Sequence, residues 1–132
     1  FGAHFRSRVD DDPARRIAEA RAAAAYVEAT ARERPDAIVV LGGDLNDVPG
    51  SDTLDAIEQS GSLVRVAREL DDAHAATYDY FGQLLALDHL YVEITAAGAP
   101  VPGTVRVRRD SSRGLGGSDH AALVADFHHV AR

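Results

Sequence analysis

Residues 37–46 read Ala-Ile-Val-Val-Leu-Gly-Gly-Asp-Leu-Asn. The first five, Ala37–Leu41, are a continuous apolar run with β-branched residues, the pattern of a strand buried on both faces. Gly42–Gly50 follows as its C-terminal extension and loop. Side chains alternate along extended backbone, so Asp44 and Asn46 are expected on one face, with Leu45 turned into the core. A carboxylate and a carboxamide then stand side by side on rigid backbone just past a buried strand. Taken alone, the stretch reads equally well as an Asx turn that ends a strand.

Upstream of this strand lies a helix. Asp12 followed by Pro13 is an N-cap and a proline at the first helical position. Ile17, Ala20, Ala24, Val27 and Ala31 then recur at intervals of three and four, which predicts an amphipathic helix with a thin, Ala-rich face lying close to a sheet. It stops near Arg34-Pro35, because the residue before proline is pushed out of the helical region. Phe1–Phe5 reads as a strand. Downstream, Ser51–Ser60 is expected to be a short helix capped by Ser51, with Leu54 and Ile57 facing inward. Leu63–Val66, Thr77–Phe81, Leu84–Ile94, Thr104–Arg108 and Ala121–Phe127 read as strands, with a hairpin turn at Gly82-Gln83. Ala67–Ala75 reads as a polar connection, and Gly98–Gly103 and Ser111–Gly117 as loops. Strands outnumber helices and the helices lie on an outer face. The expected class is therefore α/β or α+β with a mixed sheet, in one domain over residues 1–132.

Composition narrows the possibilities. The 132 residues are 45% hydrophobic and 27% charged, ordinary globular values that exclude wholesale disorder. No apolar run approaches the roughly 18 residues of a membrane helix. Cysteine is absent, which removes disulfides, thiol nucleophiles and Cys-ligated zinc. All 14 basic residues are Arg, so phosphate contacts would come from guanidinium forks or polar groups. The net charge of −7 argues against a tight, non-specific grip on a polyanion. It leaves room for a metal-dependent phosphate site, because a divalent cation inverts the local charge. The chain starts Phe1-Gly2-Ala3-His4 without a Met and reads as part of a longer protein. Any targeting segment would lie upstream, so the compartment stays open, with a lean to secretion.

Two further stretches carry candidate chemistry. In Leu87-Asp88-His89-Leu90-Tyr91-Val92, Asp88 shares a face with Leu90 and Val92, an expensive place for a carboxylate without a partner. His89 shares the other face with Tyr91 and could equally be a packing histidine. Gly116-Gly117-Ser118-Asp119-His120 sets an Asp and a His in a Gly-rich loop just before the last strand. His74, His128 and His129 read as surface or strand-edge residues, and Asp10–Asp12 as a cap with favourable charge at a helix N-terminus.

In their order, these stretches resemble the endonuclease/exonuclease/phosphatase superfamily, the divalent-metal phosphoesterases. The match rests on Ala3-His4-Phe5 before a long helix, Gly43-Asp44-Leu45-Asn46 after a buried strand, Leu87-Asp88-His89 in a later strand, and Ser118-Asp119-His120 before a terminal strand. The Thr77-Tyr78-Asp79-Tyr80 and Gly82-Gln83 stretch looks most like the bacterial nuclease-like branch. Members fold as a four-layer αββα sandwich, so the resemblance implies that this chain is the C-terminal half, one mixed sheet with its outer helices. An Asn and a metal-ligating Glu belong to the family's N-terminal half, which has no counterpart in this sequence.

The implied reaction is Mg²⁺-dependent phosphoester hydrolysis, with Mn²⁺ or Ca²⁺ as substitutes. By the same resemblance, Asp44 orients or deprotonates the attacking water and Asn46 holds a phosphate oxygen. His120 contacts or protonates the phosphoryl group while bonded to Asp88. Asp119 ligates the metal, and His4 is a second phosphate or acid–base contact. Arg6 is the expected substrate-binding cation, with Arg8 and Arg113 as further flanking candidates. The expected activity is a nuclease-type phosphodiesterase acting on DNA or RNA. Alternatives are a phosphatase or phospholipase-like enzyme for small or lipid phosphoesters, and a non-catalytic phosphate-binding module. A sheet face left apolar is expected to be covered by the missing half or by a second copy.

Overall fold

The computed structural model describes residues 1–131. Its centre is a four-stranded mixed sheet built from β1 (Gly2–His4), β2 (Val40–Asp44), β3 (Leu63–Arg65) and β6 (Asp88–Glu93), in the order β1-β2-β6-β3. β1 runs parallel to β2, whereas β6 is antiparallel to both β2 and β3. The parallel pair is joined by α1 (Pro13–Glu33), the crossover that such a pair requires. Asp12 accepts a hydrogen bond from the Arg15 amide at 3.0 Å and Pro13 opens the helix. The chain leaves the helix at Arg34, before Pro35.

Ala20, Ala24, Val27 and Ala31 form the buried face of α1, as their spacing dictates. The fifth buried position is Arg16, not Ile17, which is only partly covered. α2 (Asp52–Glu58) is capped by the Ser51 hydroxyl and buries Thr53, Leu54 and Ile57. Both helices pack on one face of the sheet against Leu41, Leu45, Leu63 and Tyr91. Each such side chain, when fully buried, contributes about 1.5–3 kcal/mol. The small alanines let α1 lie close to the strands, which is why this layer is thin.

The opposite face is partly covered by the chain itself. Val92 is fully buried there, with Val40, Val64 and Leu90 half-buried around it. Over them lie a 3₁₀ turn (Val66–Glu69), Val105, Leu123 and Phe127. The expected bare apolar face is thus narrower than its sequence implies.

Several boundaries differ from the sequence pattern. The strand expected at Ala37–Leu41 begins at Val40 and runs on through the glycine pair to Asp44. Gly43 has φ of +143°, and a Cβ there would collide with the Ala3 carbonyl oxygen, so only glycine lets β1 close against β2 at this point. The apolar run Leu84–Ile94 is two strands in different sheets. β5 (Gln83–Leu85) forms a hairpin with β4 (Tyr78–Tyr80) and is separated from β6 by Ala86-Leu87. The hairpin turns at Phe81-Gly82, one residue earlier than expected, because the Asp79 carboxylate caps the Gly82 amide at 2.6 Å. The final strand divides likewise. β9 (Ala122–Val124) pairs with β8 (Arg106–Arg108), and β10 (Phe127–His129) pairs with β7 (Gly98–Pro100), which lies where the Gly/Pro content predicts a loop. The connection at 67–75 contains most of the 3₁₀ turn and the one-turn α3 (Asp72–Ala75), capped by Asp71.

Candidate active site

Strand register assembles the site. His4 on β1 is paired with Asp44 on β2, and Asp44 is paired with Asp88 on β6. Residues in one register across neighbouring strands share a face, so three titratable side chains stand abreast at one end of the sheet. That face is the one away from α1 and α2, since Leu41 and Tyr91 fill the other. His4 Nε2 lies 3.5 Å from Asp44 Oδ2.

His120 completes the row from outside the sheet. The Gly-rich loop brings it beside β4 through an isolated antiparallel bridge to Tyr78, fixed by the Ala121 amide donating to the Thr77 carbonyl at 2.8 Å. A Cβ on Gly114 would collide with the carbonyl oxygens of Ser118 and His120, so the loop needs glycine there. The His120 ring lies against Tyr78, with centroids 4.8 Å apart. Its Nδ1 sits 2.7 Å from Asp88 Oδ2, and its Nε2 faces Asp44 Oδ2 at 3.9 Å. The partner that Asp88 needs on its apolar face is therefore His120.

Electrostatics follow from this packing. Burial opposes the His120 imidazolium, yet the Asp88 hydrogen bond and the Asp88, Asp44 and Asp119 charges outweigh it, and the His120 pKa is raised. A carboxylate at Nδ1 selects the Nδ1–H form and leaves Nε2 directed at Asp44. Burial also raises the Asp44 pKa, with the Asp88 charge adding to it, against the Asn46 amide bond and the two imidazoles. Asp44, Asp88 and His120 each offer a ligand atom within 4.8 Å of the others.

Asn46 reaches the same place by a different route from strand alternation. The strand ends at Asp44, and Asn46 adopts φ of +53°, with its amide donating to Asp44 Oδ1 at 3.0 Å. This is the Asx turn that the stretch also suggested. Asn46 Nδ2 donates to the Phe5 carbonyl at 3.0 Å, which binds the loop to the end of β1.

The next residue is clamped from three elements. Asp47 Oδ2 accepts from Arg16 Nε on α1 at 3.1 Å and from the Thr53 hydroxyl on α2 at 2.7 Å. Its carbonyl oxygen lies 2.9 Å from His89 Nε2 on β6, which must therefore carry the proton. Burial lowers the His89 pKa, so that ring stays neutral and structural. Arg16, only 3% exposed, also binds Asp11. Nothing in the apolar periodicity of α1 reveals this arginine. Ile17 completes the apolar pattern one position on, so no local signal in the sequence marks Arg16.

The row opens into a cleft of about 710 Å³ lined by His4, Ser7, Arg8, Asp44, Asn46, Tyr78, Tyr80, Gln83, Asp119 and His120, among others. Asp119 thus faces the cleft but stands outside the compact Asp44–Asp88–His120 group. Arg6 does not line the cleft. Its amide binds Glu19 and its guanidinium reaches the Asp10 carbonyl, while Arg8, two residues on, points into the cleft. Arg113 lines an adjoining groove of about 230 Å³ with Tyr80 and Phe81. Thr77 has no signature in the sequence pattern, yet it is fully buried and its hydroxyl accepts the amides of both Leu87 and Asp88. His74, His128 and His129 are exposed, and Asp12 is the helix cap.

No protein-family model matches the chain, and no curated protein sequence matches it. Solved structures do. The chain is similar to zebrafish TDP2 complexed with a single-strand DNA product, at 17% identity and a TM-score of 0.73, over 96% of this chain and 54% of that one. It is similar to an endonuclease/exonuclease/phosphatase family protein from Bacteroides thetaiotaomicron, at 17% identity and a TM-score of 0.65, over 96% and 48%. It is also similar to Staphylococcus aureus beta toxin with bound magnesium ions, at 17% identity and a TM-score of 0.62, over 98% and 52%. The architecture is that of part of an endonuclease/exonuclease/phosphatase-type α/β sandwich. The chain spans about half the length of these structures.

Proposed function

We propose that the chain forms the C-terminal part of a divalent-metal-dependent phosphoester hydrolase, a phosphodiesterase of nuclease type. The observation that carries this reading is the single row His4–Asp44–Asp88 with His120 bonded to its end, all but Asp88 facing one cleft. The donor set suits a hard cation: Asp44 and Asp119 present carboxylate oxygens to the cleft, with no thiolate in the chain. When bound, Mg²⁺ supplies neutralisation of phosphoryl charge and acidification of water.

This chain's own residues do the rest. Asp44 accepts the proton of, or orients, the attacking water. Asp88 holds the His120 ring and favours its imidazolium, so that Nε2–H donates to a phosphoryl oxygen. One N–H of the Asn46 amide is committed to Phe5, and the second is available for a phosphate oxygen. His4, largely exposed, offers a further contact at the cleft mouth. Such catalysis is mostly positioning and charge stabilisation.

The test is turnover of a phosphodiester, bis(4-nitrophenyl) phosphate, and a phosphomonoester by the complete protein in Mg²⁺ or Mn²⁺, beside Asp44→Ala and His120→Ala. Metal-dependent diester cleavage that both substitutions reduce by about a hundredfold or more supports the reading. Cleavage of the monoester alone turns it to a phosphatase, a reading the net charge of −7 favours for small substrates. Turnover indifferent to either substitution overturns the site.

A further inference from the structure

We propose that the groove beside the cleft, between the tip of the β4–β5 hairpin and the 111–119 loop, is a subsite for a nucleobase carried next to the scissile phosphate. The proposal rests on the phosphodiesterase reading and gives that site a substrate class.

Phe81 is 96% exposed and Tyr80 54% exposed. A large apolar ring in that position contributes nothing to a core, and its ring contact is Tyr80, edge to face at 5.1 Å. The turn that carries the pair has a defined geometry. Phe81 adopts φ of +50°, and the Asp79 carboxylate fixes the following Gly82 amide at 2.6 Å. The hairpin thus presents an aromatic platform at its tip.

Across the groove stands Arg113, whose guanidinium makes no hydrogen bond or ion pair among the described residues. Tyr78, Tyr80 and Asp119 line both the groove and the catalytic cleft, so the two are continuous. A ligand that spans both must carry phosphate chemistry at one end and a planar apolar group at the other. A nucleotide meets this description: its base stacks on an aromatic face, and its flanking phosphate suits a free guanidinium fork. A lipid bilayer meets it less well. Seating the hairpin tip in a headgroup layer would drag the Asp79 and Asp119 carboxylates with it, on a chain already at −7.

The experiment measures binding by the complete protein of a thymidine dinucleotide with a methylphosphonate linkage and a terminal phosphate on its groove-side nucleoside, and of its analogue lacking the groove-side base. Neither ligand requires turnover. The wild type is expected to prefer the base-bearing ligand, and Phe81→Ala to weaken that ligand by about tenfold while leaving the abasic one within about twofold. Phe81→Tyr restores the preference, and Arg113→Gln weakens both ligands. Equal binding of the two ligands by the wild type overturns the subsite, as does a Phe81→Ala effect that is the same for both. So does unchanged dinucleotide binding with lost sedimentation on phosphatidylcholine vesicles, which would make the hairpin a membrane edge. Loss of hydrolysis with the base preference intact overturns the catalytic reading and leaves the subsite standing.

Discussion

At the scale of single residues, the Asp88–His120 pair decides most. With Asp88 beside it, the His120 pKa lies above its ordinary value of 6.5. A raised folded-state pKa means that the pair's stabilisation is complete below that ordinary value and is lost as pH rises through the folded value. Asp88→Asn removes the acceptor charge, so the NMR titration of His120 should move to lower pH. The alkaline limb of kcat/KM should move with it, and transition-state stabilisation should fall by about 2–4 kcal/mol. The stability gap between wild type and variant should be widest below pH 6.5 and close above the folded pKa. An unchanged kcat with an unmoved titration would remove Asp88 from the mechanism. That Asp88 needs a partner was legible in the sequence, since it lies among Leu90 and Val92, and the family resemblance implied that the partner is His120. Asn46 was legible for a reason the backbone does not follow, since a left-handed turn carries it to the cleft where alternation was expected to. Arg6 and Arg8 could not be told apart, because which of two nearby arginines faces a cleft depends on the irregular path after β1.

At the scale of elements, the clamp on Asp47 links α1, α2 and β6 behind the site. Arg16→Ala strands a carboxylate that is 11% exposed. It should cost about 3 kcal/mol in chemical denaturation, against less than about 1 kcal/mol for Arg15→Ala, whose own side chain is 62% exposed. Equal losses for the two neighbours would dismiss the clamp. The starts of α1 and α2 and most of their buried faces were readable, since caps and apolar spacing are local properties, although α2 ends at Glu58, short of the expected Ser60. The strands were less so. Val40–Asp44 extends through two glycines because β1, from the start of the chain, approaches it there, and nothing near Gly43 announces it. β5 and β6 form one apolar run in sequence but separate where Thr77 binds both amides at the joint. β7 is strand only because β10 pairs with it. Tertiary contacts made these choices.

At the scale of the molecule, the chain spans about half the length of the structures it matches. We expect the 132 residues alone to bind Mg²⁺ weakly, because Asp44, Asp119 and Asn46 are few donors for an ion that dehydrates reluctantly. They should cleave a phosphodiester at no more than background rate. Half-buried Val40, Val64 and Leu90 should drive association with a second copy or a further segment. Calorimetric Mg²⁺ titration, turnover and mass in solution check all three, and brisk turnover by a monomer would show that no further part is needed. The row of His4, Asp44 and Asp88 carries one more consequence. Each member arrives on a strand from a distant part of the chain, and His120 joins only when the last loop closes over β4. The β1–α1–β2 segment holds two of the three strands but neither Asp88 nor His120, so a partly refolded chain lacks the bonded pair that completes the site. Regain of catalysis after denaturation should therefore trail the return of helical signal, and activity would serve as a clock for the final step of folding.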